Sequence, residues 1–491
     1  MKASRPVSAL ILAALLSSCG GGGDGGGAGS APSSTATTTP APTPPPTPPP
    51  TGAGTCSLQD RQNWAAAQLD EWYLFPELLP VSLSAAGFGT VDDYLDALTA
   101  TARAQRKDRY FTYLTSIREE ESYYESGAVA GLGVRLASDA ASGRVLVSEA
   151  FEGAPALAAG IDRGTEILAI GTSASDLRPV AELLAAGGGN AVSRALGPDT
   201  AGTTRVLRVA DAGGTREVTV AKATYALTPV SARYGARIIE DGGRRVGYLN
   251  LRTFIETADP ALRDAFASFR AAGITELIVD FRYNGGGLLS IAELMGDLLG
   301  ANRSGADIFS RTSFRPSKAA NDETRPFAPQ PQSIAPGRIA FIGTGGTASA
   351  SELVANAMIP YLGANAGLIG ANTFGKPVGQ IALDRAQCDD RLRVVAFATQ
   401  NRDRQGEYYN GLATVMRASC RASDDLAYPL GDPREASVRA ALDYLAGRPC
   451  STIASAGREL SARSVRSLGG GRELITPDRP SSPQREVPGL F

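Results

Sequence analysis

Twice in this chain a short apolar run ends in a glycine turn and passes straight into a helical pattern. Leu277-Ile278-Val279-Asp280-Phe281 leads through Gly285-Gly286-Gly287 into a helix near 288–300. Ile339-Ala340-Phe341-Ile342 turns at Gly345-Gly346 into a helix from about Ser349. Before them, Val246-Gly247-Tyr248-Leu249-Asn250-Leu251 reads as a strand, and Asp259-Pro260 opens a helix running to Gly273. Residues 224–450 therefore have an α/β rhythm. Two strand–turn–helix units put their turns at one end of a sheet, where α/β proteins usually keep their sites.

The rest of the chain divides by pattern. Its 491 residues exceed what one compact core usually takes, so two or three domains are expected. Residues 56–117 read as a small helical N-terminal domain, with Trp64, Leu69, Trp72 and Leu74, then Val91, Tyr94, Leu95 and Leu98, at helical spacing. Residues 118–223 carry short β-rich runs at 145–147, 166–170, 205–209 and 216–220, separated by glycine turns. Residues 451–491, rich in Ser, Arg, Gly and Pro, read as a tail.

At the other end, Lys2 and Arg5 precede an apolar stretch over 7–16 that is too short to span a bilayer. Leu16-Ser17-Ser18-Cys19 follows and looks like a bacterial lipobox, which implies cleavage before Cys19 and a lipid on its thiol. That predicts a chain anchored in the cell envelope and facing the periplasm, at the outer membrane. Residues 20–55 are Gly, Ser, Thr and Pro almost throughout, a composition that cannot offset the entropy of folding. Extended, this spacer would reach on the order of 100 Å.

An oxidising compartment gives the remaining cysteines, Cys56, Cys388, Cys420 and Cys450, reason to pair, and three pairings are open. Cys388–Cys420 would close a local excursion, and Cys56–Cys450 would tie the two ends of the folded part together. Those two are the expected bridges.

Composition decides the chemistry. The sequence holds no histidine, which excludes a Ser-His-Asp triad, a Cys-His pair and any zinc site built on imidazole. No metal or cofactor is expected. A net charge of −2 gives no basic footprint for nucleic acid. The second turn reads Gly346-Thr347-Ala348-Ser349-Ala350-Ser351-Glu352. Ser349 with Glu352 is, on its own, a capping box. A hydroxyl there also sits beside unpaired N–H groups at the positive end of a helix dipole, which suits a nucleophile.

Serine needs a base, and without histidine that base is a carboxylate or an amine. Only five lysines occur, Lys2, Lys107, Lys222, Lys318 and Lys376. Lys376 lies in Phe374-Gly375-Lys376-Pro377-Val378-Gly379-Gln380, with no charge close by in sequence. Bringing its amine from about 10.4 to near neutrality costs about 4 kcal/mol, which burial among apolar groups supplies. Pro377 disfavours helix, so the segment reads as extended, with Lys376 and Gln380 on one face and the Gln380 carbonyl free to orient the amine.

Two resemblances join these segments. Gly131-Leu132-Gly133-Val134 is similar to the PDZ loop that holds a peptide's C-terminal carboxylate. Gly153-Ala154-Pro155-Ala156 through Ala159-Gly160-Ile161, Gly164 and Ile167 is similar to the stretch that follows it. Such a domain binds a tail as an added strand. The order helical cap, PDZ domain, α/β core resembles the C-terminal processing peptidases, or tail-specific proteases, of serine peptidase family S41. Their "A-S-A-S-E" turn matches at Ser349, their "F-G-K-x-x-x-Q" strand at Lys376 and Gln380, and their "D-L-R-x-N-G-G-G" element at 280–287, with Pro377 departing from the usual glycine.

The resemblance implies an α/β fold with a ClpP/crotonase-like ββα core, Ser349 as nucleophile, Lys376 as base and Gln380 orienting it. It implies an oxyanion hole from the Ala350 N–H and a glycine of the turn, Gly286 in preference to Gly285. Asp280 and Arg282 are expected to pair structurally. The expected partners are proteins or peptides with exposed C-termini and, through the anchor, a membrane. A homo-oligomer is compatible and left open. The alternative is an inactive lipid-anchored PDZ scaffold.

Overall fold

The computed structural model describes residues 56–453, 467–469 and 471–491. The leader with Cys19 and the 20–55 spacer lie outside these residues. Among the described residues no helix is long and apolar enough to cross a membrane.

Alternation along the apolar runs builds the centre. Leu277 and Val279 face one core cluster while Ile278 faces another, and Ile339 and Phe341 against Ala340 and Ile342 repeat the division. That is the period of a strand buried on both faces. These runs lie in a six-stranded sheet ordered Ala236–Asp241, Arg244–Asn250, Glu276–Asp280, Arg338–Gly343, Ala366–Gly370 and Ala418–Arg421. Only the first pair is antiparallel. Helices Ala258–Ala271, Leu289–Leu298 and Ala350–Leu362 cover one face through Phe266, Met295 and Val354. Helix Ala436–Leu445 covers the other through Val438, Ala441 and Leu442. Because Asp280 and Ile342 are register partners on parallel strands, the two glycine turns emerge side by side.

A five-stranded sheet carries the lysine segment. Its long strand, Asp390–Gln400, pairs with Val378–Arg385 along one edge and with Tyr113–Ser116 and Ile308–Phe314 on the other. The expected helices, Leu58–Trp72 and Val91–Leu98 among them, pack Leu69, Tyr73 and Leu95 against Val378, Leu392 and Val394 of this sheet. A third sheet of eight strands gathers the β-rich runs of 134–221 around Leu136, Val147, Ile167 and Val209, with helix Val180–Leu196 across it.

Asp280 and Arg282 pair as expected, at 2.9 Å and fully buried, and they do not stand alone. Arg282 also bonds Glu435 at 2.9 Å and Asp424 at 3.1 Å, and Asp424 accepts from Arg163 of the β-rich region at 2.7 Å. Buried charges are tolerated because each meets an opposite one. The cluster fastens the glycine turn, the helix Ala436–Leu445 and the β-rich region to one another.

Two expectations fail. The disulfides are Cys56–Cys388 and Cys420–Cys450, not Cys388–Cys420 and Cys56–Cys450. Cys388 sits at the tip of the Val378–Arg385/Asp390–Gln400 hairpin, beside the start of helix Leu58–Trp72, where Arg61 already grips Asp390. Cys420 belongs to the other sheet, whose last strand faces the exit of helix Ala436–Leu445 and so meets Cys450. The second failure is the tail. Arg472–Leu474 pairs with Val134–Asp139, and Val487, Leu490 and Phe491 are buried, because apolar side chains spaced too irregularly for a helix or strand still fill cores built by other segments.

Candidate active site

Ser349 stands where strand Arg338–Gly343 turns into helix Ala350–Leu362, with φ +53° and ψ −115°. A non-glycine residue holds that strained backbone only when its surroundings fix it. They do so from both sides. Thr347 Oγ1 donates to the Phe281 carbonyl at 2.8 Å, Ala348 N–H to the Asn284 carbonyl at 3.0 Å and Ser351 Oγ to the same carbonyl at 3.1 Å. The serine turn thus rides on the glycine turn. A Cβ on Gly286 (φ +121°) would lie 2.7 Å from Ser349 Cβ and 3.2 Å from the Ala350 nitrogen, so only glycine lets the two turns approach this closely.

Lys376 precedes the strand Val378–Arg385 and points into the same cavity, about 200 Å³, which Gly287, Ser349, Ala350, Gln380 and Glu486 also line. Its Nζ donates to Gln380 Oε1 at 2.6 Å, and Gln380 Nε2 donates to the Phe111 carbonyl. The expected lysine–glutamine pairing across one face is therefore present, although a bulge at Gly379/Gln380 and not a regular strand delivers it. The amine lies 5.0 Å from the centre of the Phe111 ring. Burial pulls it below the ordinary lysine value, and the Glu486 carboxylate pulls it partly back. The amine's hydrogen bond goes to Gln380 and not to the Ser349 hydroxyl.

Glu352 is the residue the sequence undersold. The capping box is there, with Ser349 N–H donating to Glu352 Oε2 at 3.0 Å. The same buried carboxylate also accepts from Lys376 N–H at 2.8 Å, Gly375 N–H at 2.7 Å and Thr373 Oγ1 at 2.6 Å. One side chain therefore ties the backbone of the serine to the backbone of the lysine. Burial raises its carboxyl above the usual value, against the pull of those donors. The Ser-x-x-Glu spacing was the only signal, and it reports the cap alone.

The two glycines expected at the oxyanion position differ. Gly286 N–H is engaged with Asn284 Oδ1 at 2.9 Å, whereas Gly285 N–H already holds a peptide carbonyl, that of Glu486, at 2.8 Å. Glu486, distant in sequence, gave no signal.

Away from the cavity, the loop Gly131-Leu132-Gly133-Val134 also holds a peptide. Gly133 (φ +78°) and Val134 donate their N–H groups to the Phe491 carbonyl oxygen at 2.7 and 3.1 Å. The Phe491 side chain packs with Leu132, Val134 and Val192.

Residues 245–411 match the model of peptidase family S41. The chain is 28% identical over 276 residues to the chloroplastic C-terminal processing peptidase of Tetradesmus obliquus, covering 53% of this chain and 54% of that protein. It is 29% identical over 259 residues to the carboxyl-terminal-processing protease of Picosynechococcus sp., covering 51% and 55%. The chain thus spans about half the length of the curated relatives it matches. A Bacteroides fragilis protein described as an S41 protease superimposes with a TM-score of 0.61 at 21% identity, over 78% of this chain and 97% of that one, a likeness of fold.

Proposed function

We propose, on the premise that the segment 245–411 belongs to peptidase family S41, that this chain is a serine endopeptidase working through Ser349 and Lys376. The observation that carries the reading is an amine held below its ordinary value by burial, oriented by Gln380, in the cavity that Ser349 lines at a helix N-terminus.

In the neutral form Lys376 takes the proton of the Ser349 hydroxyl as Oγ bonds the substrate's carbonyl carbon. The oxygen of that carbonyl, now negative, is met by the Ala350 N–H and by the glycine turn, where Gly285 is the donor that already holds a carbonyl. The protonated amine returns its proton to the leaving nitrogen as the C–N bond breaks. Lys376 then takes a proton from water as the water oxygen bonds the acyl carbon, and it returns that proton to Ser349 Oγ as the ester C–O bond breaks. Glu352 positions both partners without touching the reacting atoms.

The β-rich region 118–223 is read as a PDZ domain that selects substrates by their C-terminal tail, with the loop 131–134 as its end-binding element. Attachment to the envelope through a lipid on Cys19 is part of the same proposal, as are protein substrates in that compartment.

The test is hydrolysis of peptides with free or amidated C-termini by the purified protein, beside a Ser349→Ala control. Turnover that vanishes in the control and drops on amidation supports the reading. Equal turnover in the control, or a Ser349 that no fluorophosphonate labels under any condition, sinks it.

A further inference from the structure

We propose that residues 482–491 are an intramolecular plug, occupying the peptide groove and walling the catalytic cavity at once, so that a substrate enters only by displacing them. The inference rests on the peptidase reading above and adds its regulation.

The path is continuous. The short helix Ser482–Glu486 is pinned by Ser482 Oγ to Glu120 Oε1 at 3.1 Å and by Arg485 to the Tyr110 carbonyl at 2.8 Å, with the guanidinium 3.8 Å over the Tyr113 ring. At its end the Glu486 carbonyl takes the Gly285 N–H, and the Glu486 side chain lines the cavity with Ser349 and Lys376. Val487 is buried beside Tyr123 and Ile255. From there the chain joins the edge of strand Val134–Asp139: Leu136 N–H donates to the Gly489 carbonyl at 2.8 Å and Phe491 N–H to the Val134 carbonyl at 2.9 Å, in antiparallel register at Arg135 and Leu490. Phe491 ends in the apolar pocket, 2% exposed. This is strand addition by the chain to itself.

Two features separate a plug from a mere strut. The segment occupies the places a substrate needs, a backbone carbonyl at the glycine turn and an added strand at the loop 131–134. Glu486 is also a poor anchor: its Oε1 accepts only a long bond from Tyr124, at 3.3 Å, and its buried Oε2 has no hydrogen-bond partner among the described residues. A buried carboxylate oxygen left unpaired disfavours the docked state. Facing Lys376, it also favours the protonated amine, the form that cannot act as base. The docked segment therefore obstructs the site by taking the Gly285 N–H and by charge.

Because the plug is tethered, its local concentration is high, and an external peptide competes poorly until docking is weakened. The experiment compares the full chain with its Leu490→Asp/Phe491→Asp form, and with the milder Phe491→Ala in case the double change perturbs folding, each checked by thermal melting. In a Ser349→Ala background, binding of a fluorescent synthetic peptide with the sequence of residues 482–491 is followed by anisotropy. With Ser349 intact, the rates of fluorophosphonate labelling and of short-peptide hydrolysis are measured.

The expected result is tighter peptide binding and faster labelling and hydrolysis in the altered chains, each by at least about tenfold. Equal binding and equal rates overturn the plug and leave the peptidase intact. Rates that rise without any gain in peptide binding overturn the shared groove. If no form reacts with fluorophosphonate or cleaves peptide, the peptidase reading itself falls, and inhibition falls with it whatever the binding shows.

Discussion

At Lys376 the sign of the shift fixes what pH does. Burial lowers the amine from its ordinary 10.5, and in the proposed mechanism the neutral form is the base, so kcat/KM should rise with pH and level off below 10.5. Glu486 opposes the burial, so Glu486→Gln moves the inflection to lower pH. An unmoved inflection would separate that carboxylate from the amine. Lys376→Arg keeps a cation but supplies no base, and turnover should fall by about 10²–10⁴-fold in a protein that still melts cooperatively. The same residue weakens the fold. A lysine whose folded value lies below its unfolded one carries a stability cost that is complete below the folded value and gone above the unfolded one. Lys376→Met should therefore melt higher than the parent near neutrality, with the gain shrinking as pH climbs towards 10.5. A gain independent of pH would mean that packing, not charge, was relieved.

Among elements, the contact between the two glycine-bearing turns decides the site. Gly286→Ala puts a methyl group 2.7 Å from Ser349 Cβ on a backbone of φ +121°, so fluorophosphonate labelling should drop at least about tenfold while the sheet core persists by circular dichroism. These turns were legible because each follows a strand whose alternation is strict and opens a helix at a recognisable residue. Lys376 and Gln380 were legible because positions four apart on extended chain share a face, although a bulge at Gly379/Gln380 completes the pairing here. Glu352 was legible only as a cap. Its other three donors come from 373–376, and nothing in a linear spacing announces which loop will fold over a helix end.

For the molecule as a whole, the misread features are those that join distant segments. Cys56–Cys388 spans 332 residues and stitches the helical layer to the tip of the lysine hairpin, while Cys420–Cys450 closes a short loop. Which cysteine meets which depends on where two sheets lie, and that is invisible to spacing. Peptide mapping without reductant should recover these two links. Replacing Cys56 and Cys388 together by Ser should cost about 2–4 kcal/mol in urea unfolding, more than replacing Cys420 and Cys450, because the larger loop gains more freedom when opened. Equal losses would show that the unfolded chain is not what the long bridge restrains. The final residues were misread for a similar reason: irregular apolar spacing looks like a tail until another segment's groove receives it.

The ion cluster of Arg163, Asp424, Arg282 and Glu435 has a geometric consequence. By bolting the β-rich region to the glycine turn, it sets the distance from Gly133, which grips one end of a bound strand, to Gly285, which grips a carbonyl. Residues 486–491 cross that gap through a turn in which Leu490 N–H donates to the Val487 carbonyl at 3.2 Å. A foreign chain that took the same turn between the two grips would be measured as by a caliper, and the pieces cut from its end would share one length.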